Sequence, residues 1–337
     1  MRGDGWTTAG TVLGLTEHQV LGLVTDAGRA PSLHNSQPWR FGLAPDVIEV
    51  HADDDRRLPV ADPTGREMHI ACGAALYNLR LGLLGLGIRP LVTVLPDPAR
   101  PHLLATVRHG GSKALDPELR RLRDAIPRRH TNRRPFGDEP VSGPARHALR
   151  RAAIEEGAWL DLVVEPGRRT ELGRLARLAH TRQMGDDAFR AELASWTGHD
   201  GHRPDGVPAA AGGPAPAPNQ TWVTRDFTGG RAAAGGLTVF EAEPLIAVLS
   251  THGDDVREEL RAGQALQRML LTATVHGLAV SFLSQLVEVA DVREQMRRIV
   301  DGTRPPLVVL RIGHGLPVAS TPRRAPGETV LRTTLAP

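Results

Sequence analysis

Apolar residues recur at helical spacing in residues 16–29, where Val20, Leu21, Leu23 and Val24 form one face. Thr16 is placed to cap that helix and Gly28 to end it. A polar loop, 30–38, follows. Alternation at 39–43 and 47–51 predicts two strands about a turn at 44–46. Residues 53–66 are charged and carry two prolines, which reads as a surface loop. Residues 68–88 are apolar on nearly every side, with Ala71, Ala75, Leu76, Leu79, Leu83 and Leu86, and predict a buried helix. Strands are expected at 91–95 and 103–108, then a short amphipathic helix at 116–126. Further on, a strand at 244–250, a long helix at 258–278 and strands at 279–283 and 306–312 repeat the plan.

The two long helices superpose without gaps on a shift of 190 positions. Gly73 falls on Gly263, Ala75 on Ala265, Leu76 on Leu266, Leu81 on Leu271 and Gly87 on Gly277. That register predicts an internal duplication, with halves at 16–126 and 127–330. The order strand, helix, strand in both argues for an α+β or α/β layered fold, of which an α+β arrangement of mixed sheets flanked by helices is the one expected. Between their core elements lies 196–236, whose stretch 208–218 contains only Pro, Ala and Gly. A long irregular segment that also holds Trp222 and Phe227 reads as a lid.

Composition narrows the function. The 337 residues are 40% hydrophobic and 23% charged, as in a globular chain. Net charge is only +3, and Lys113 is the single lysine. The best basic run, Arg128–Arg134, is short for a nucleic-acid surface, which argues for a small phosphorylated ligand instead. Cys72 alone allows no intrachain disulfide and no cysteine metal cluster. His199 and His202 lack a nearby third ligand, so no metal is expected. No apolar run approaches membrane-spanning length and the first 15 residues are unlike a signal peptide, so a cytoplasmic protein that binds neither membrane nor nucleic acid is expected.

Two segments carry candidate chemistry. Pro31-Ser32-Leu33-His34-Asn35-Ser36-Gln37-Pro38-Trp39 packs hydrogen-bonding side chains between stiffening prolines. Its residues alone also fit a rigid loop that satisfies its own backbone. Arg128-Arg129-His130-Thr131-Asn132-Arg133-Arg134-Pro135-Phe136 offers fixed cations with Thr and Asn, suited to a phosphate monoester. A solvated basic linker has the same composition.

The first segment resembles the P-S-S-x-N-x-Q-P-W loop of the FMN-dependent nitroreductase family, with Leu33 in place of the second Ser. The second resembles the family's R-R-S-x-R-x-F segment, with one extra residue before Phe136. Pro322-Arg323-Arg324 is similar to the family's P-[KR]-x-R tail. Phe282-Leu283-Ser284-Gln285 stands where the family has a P-x-E-G turn, without its Glu and Gly. The resemblance implies a nitroreductase-like fold duplicated in tandem, a pseudo-dimer within one chain, as in the Acg-type branch. It implies FMN contacts from Pro31, Ser32, Leu33, Asn35, Arg129, Thr131, Arg133, Leu283, Ser284, Gln285, Arg323 and Arg324. Gln37, Trp222 and Phe227 are expected to shape the substrate face. The implied activity is ping-pong electron transfer from NAD(P)H through FMN to a planar small-molecule acceptor, or a flavin-dependent oxidase or dehydrogenase reaction in secondary metabolism. The flavin carries the chemistry, so no side chain is expected to be catalytic. The alternative is a non-catalytic FMN-sequestering protein closed by the lid. A monomer is expected, because fusion of the halves supplies both sides of the site.

Overall fold

A computed structural model describes residues 11–214, 222–223, 225–228, 244–300 and 302–331. The first helix, α1 (Glu17–Ala27), opens on a capping box in which Thr16 and Gln19 satisfy each other's backbone N–H. Strands β1 (Trp39–Ala44) and β2 (Val47–Ala52) form a hairpin, followed by helix α2 (Arg66–Gly85) and strands β3 (Ile88–Val94) and β4 (Leu103–Ser112). Helix α3 (Pro117–Ala125), capped by Asp116, closes this half. The order of the sheet is β1-β2-β4-β3.

The sequence reading assigns no element between Phe136 and Trp196. The structure places helix α4 (Gly143–Glu155), strand β5 (Trp159–Val163), helix α5 (Pro166–Gly185) and helix α6 (Asp187–Trp196) there. The buried face of α4, Ala145, Leu149, Ala152 and Ala153, keeps helical spacing but is mostly alanine, a weak apolar signal, with Arg150 and Arg151 exposed on the other side. Short strands β6 (Thr197–His199) and β7 (Val207–Pro208) follow in the expected lid. Its residues 215–221, 224 and 229–236 lie outside the described residues. Strand β8 (Leu245–Ser250), helix α7 (Val256–Val275), strand β9 (Ala279–Phe282), helices α8 (Gln285–Glu288) and α9 (Ala290–Val300), and strand β10 (Pro306–Gly313) complete the second half, before a short α10 (Pro326–Thr329). The second sheet runs β5-β8-β10-β9. Edge strand, strand before the long helix, last strand, strand after the helix: the order is the same in both sheets.

Within both sheets every strand pair is antiparallel. Among the described residues, parallel pairing is confined to β6 with β7 and to single bridges at the sheet edges, Phe41 with Val330 and Thr131 with Val280. So the expected mixed sheets are antiparallel cores with parallel additions at the rim. The first addition carries the C-terminal segment across onto the first sheet.

Helices α2 and α7 cross at the centre, and their bounds differ by the 190 positions read from the sequence. A Cβ built on Gly73 would lie 2.3 Å from the Leu260 carbonyl oxygen, and one on Gly263 2.0 Å from that of Ile70. Leu260 and Ile70 are themselves 190 apart, so the contacts are reciprocal, as about a two-fold axis. Only glycine allows backbone to meet backbone there. Asn78 and Gln267, both fully buried, hydrogen-bond across the crossing at 2.8 Å. No helix among the described residues is long and apolar enough to cross a membrane.

Candidate functional site

The loop after α1 turns tightly. His34, Asn35 and Gln37 have φ of 51°, 58° and 53°. Three non-glycine residues in the left-handed region within four positions are strained, and such strain is retained where surrounding contacts impose it. The contacts are present. The Ser32 hydroxyl accepts from the Gln37 N–H at 2.9 Å. The Asn35 amide donates to the Gly206 and Pro322 carbonyls at 2.9 and 3.0 Å, and its oxygen accepts from Arg323 at 2.9 Å. Gln37 donates to the Pro204 carbonyl and accepts from the Arg324 N–H, both at 2.9 Å. Loop 30–38, the segment 204–206 and the tail 322–324 are thus tied together. The Cys72 thiol donates to the Pro38 carbonyl at 3.2 Å and is fully buried, a structural contact.

Pro31, Ser32 and Leu33 line a cleft whose solvent-accessible cavity is about 60 Å³. Ile70 and Ala71 of α2 and Leu266 of α7 give it an apolar wall; Thr131, Arg133, Ser284 and Gln285 bring polar groups. The cleft therefore lies where the two halves meet. Thr131 is held by its bridge to Val280, which adds the 128–134 segment beside β9.

Arg133 is the cleft-lining member of a cationic cluster in which Arg129 is buried and Arg133 and Arg323 are half-buried. Arg129 and Arg323 both donate to the Arg29 carbonyl, at 3.1 and 3.4 Å. Burial first, then the neighbouring cations, pushes Arg129 and Arg133 down to about 10 and Arg323 down to about 9. All three stay charged at neutral pH. None has a carboxylate partner among the described residues, and the Nε donors of Arg129 and Arg323 are buried without an acceptor. Gathering unpaired buried cations costs several kcal/mol each, a cost that a bound anion removes. A phosphate monoester has the charge and acceptors this cradle lacks.

The other expected residues divide. Leu283 is fully buried under the cleft floor, in the core formed with Leu286 and Val309. Asn35 and Gln37 are used in the ties just described and do not line the cleft. Arg324 pairs with Asp53 at 3.3 Å and is held away from the cationic cluster. Of the two aromatics, Phe227 lines the cleft, edge-on to His34 at 6.0 Å and beneath the Arg133 guanidinium at 4.6 Å. Trp222 packs instead into the core with Leu172 and Leu175, because the adjacent Val223 carbonyl is pinned by Gln285 at 2.7 Å.

Three cleft residues escape the sequence reading. Arg225 forms a buried ion pair with Glu288 and donates to Gln183 at 2.8 Å. His34 is buried with neither ring nitrogen hydrogen-bonded; burial, then Arg225 and Arg133, holds it well below its ordinary value and so neutral. Glu67 has a buried, unpartnered Oε1, and burial pushes its carboxyl up to about 8. A signal existed for Glu67: it shares a helix face with Ile70 and Ala71, at spacings of three and four.

No family model matches the sequence. Full-length relatives do. Rv3131 of Mycobacterium tuberculosis, provisionally named an NAD(P)H nitroreductase, is 34% identical over 316 residues, covering 91% of this chain and 90% of its own. The acg protein of the same organism, with the same provisional name, is 30% identical over 307 residues, covering 88% and 91%. Among solved structures, a protein described provisionally as a nitroreductase from Anabaena variabilis covers 88% of this chain and 73% of its own, with 13% identity and a TM-score of 0.46. A Bacteroides fragilis nitroreductase with bound FMN covers 60% and 95%, at 14% identity and a TM-score of 0.38.

Proposed function

The chain belongs to the nitroreductase family, and from that premise we propose that it is an FMN-dependent oxidoreductase acting between NAD(P)H and a planar small-molecule acceptor. One observation carries the reading: buried Arg129 and half-buried Arg133 and Arg323 are gathered, without carboxylate partners among the described residues, beside a cleft lined by Pro31, Ser32 and Leu33. In this reading the arginines and the Thr131 hydroxyl hold the FMN phosphate. Pro31–Leu33, Ile70, Ser284 and Gln285 bound the ring. FMN, when bound, supplies hydride chemistry that no side chain here offers. The chain's own residues bind, orient and exclude water. Phe227 covers the cleft; Glu67, protonated at neutral pH, holds a proton there. Residues 16–126 and 127–330 are two copies of one unit, so a single chain suffices for the site.

A second reading, FMN sequestration, is favoured by the fastenings of the lid. Gln285 binds the Val223 carbonyl, Arg225 pairs with Glu288, and Gln37 binds the Pro204 carbonyl. Anaerobic titration of the FMN-loaded protein with NADH and NADPH separates the two. Bleaching of the flavin band by either, and its return with a quinone, supports the enzyme. A flavin that stays oxidised until residues 205–235 are deleted supports sequestration.

A further inference from the structure

The crossing of α2 and α7 generates a second cleft, the image of the first. The shift of 190 takes Glu67 and Ala71 to Arg257 and Arg261, and takes Val92 and Val94 to Phe282 and Ser284. Glu67, Ala71, Phe282 and Ser284 line the first cleft; Arg257, Arg261, Val92 and Val94 line a separate one of about 420 Å³. Four coincidences of position make the second cleft the two-fold counterpart of the first.

Its furnishing differs. The 11-residue connection 28–38 between α1 and β1 is replaced, between α4 and β5, by Glu156–Ala158 alone. The long insertion 164–244 between β5 and β8 is matched between β1 and β2 only by the turn at 45–46. So, among the described residues, the second cleft has neither the strained loop nor a lid. Five cations line it. Arg80 is paired with Glu156 at 2.6 Å and Arg261 with Glu258 at 2.7 Å. Arg89, Lys113 and Arg257 have no acidic partner among the described residues. Where the first cleft presents Glu67, this one presents Arg257. The chain's only lysine is also here.

We propose that this second cleft is a binding site for a small diphosphate-bearing anion. Three uncompensated cations around one concavity match the charge of about three that a free diphosphate group carries at neutral pH, and concave walls concentrate their field. The wall of Val92, Val94 and Leu84 leaves an apolar surface beside the charges, fit for a nucleoside attached to the diphosphate. The site holds whether or not the first cleft takes flavin.

The test is calorimetric titration of the full chain with inorganic pyrophosphate, and with ADP, at low salt. Wild type and an Arg323→Ala variant, whose cationic cradle in the first cleft is weakened, should both retain a pyrophosphate event. Arg89→Glu combined with Lys113→Glu should weaken that event at least tenfold. These side chains are exposed, and Arg257→Gln, expected to weaken binding severalfold with unchanged circular dichroism, guards against misfolding. Binding of ADP alongside pyrophosphate assigns a nucleotide, and pyrophosphate alone assigns the inorganic anion. Absence of binding to wild type, unchanged binding to the double variant, loss of the event in Arg323→Ala, or tighter binding of single-stranded RNA at matched salt overturns the proposal.

Discussion

Replacing Gly263 by alanine tests how the two halves meet. The added Cβ would stand 2.0 Å from the Ile70 carbonyl oxygen and 2.8 Å from the Gly73 Cα. Both obstacles are backbone, so no rotamer relieves them. Restoring ordinary contact separates α2 from α7 by about 1 Å, and a gap of that size forfeits a quarter to a half of the dispersion energy across the crossing. Overpacking of this kind costs about 3 kcal/mol when the neighbour cannot move aside. Alanine returns about 1 kcal/mol of helix propensity over glycine. The net loss is about 2 kcal/mol, which for a chain of this length lowers the melting temperature by about 3 °C. Gly22, in α1, is the control: nothing lies within 4 Å of its built Cβ. Gly22→Ala should raise the melting temperature by about 1 °C. Differential scanning calorimetry reads both. A Gly263→Ala protein that melts at or above wild type would refute the close crossing.

Three further outcomes follow from the first cleft. Arg323→Ala removes one charge-assisted contact to phosphate, so FMN affinity should fall about tenfold to a hundredfold in equilibrium dialysis, while the flavin-free protein gains stability as the cationic cluster thins; unchanged affinity contradicts the cradle. Glu67 binds its proton more tightly folded than unfolded, so its contribution is full below about pH 4.5 and is lost as pH rises through about 8, a decline approaching about 1.4 kcal/mol per pH unit. Urea denaturation across pH 5–8 should show that decline in wild type and a flatter line in Glu67→Gln; parallel lines sink the assignment. Phe227→Ala uncovers the cleft, and FMN release should quicken about tenfold in stopped-flow fluorescence, equivalent to about 1.4 kcal/mol.

What was legible in the sequence follows from the type of signal. The long helices were readable because runs of small and aliphatic residues cover most of their faces, and their shared register paired Gly73 with Gly263, the glycines that meet at the crossing. Thr16 marked a helix start because capping is local chemistry, and the structure adds Gln19 as the other half of a capping box. Helices α4 to α6 were not assigned: in α4 three of the four buried residues are alanine, so its apolar stripe is faint although its spacing is helical. Within the site, Ser32, Thr131, Arg133 and Phe227 stand at the cleft or its rim. Asn35 and Gln37 were singled out for their donors and acceptors, which the structure spends on the Pro204, Gly206 and Pro322 carbonyls and on the tail instead. A hydrogen-bonding inventory does not say which partner wins. His34, Glu67 and Arg225 acquire their character from burial by elements distant in sequence, which no local pattern encodes.

The central claim is that the clustered arginines hold the phosphate of one FMN at the junction of the halves. Its most direct measurement is the visible absorbance spectrum of the full chain after equilibration with FMN and removal of excess, with the released flavin quantified. The account predicts a flavin spectrum at one FMN per chain, lost on Arg129→Ala with Arg323→Ala. A colourless protein, or full occupancy retained in that double variant, would contradict it.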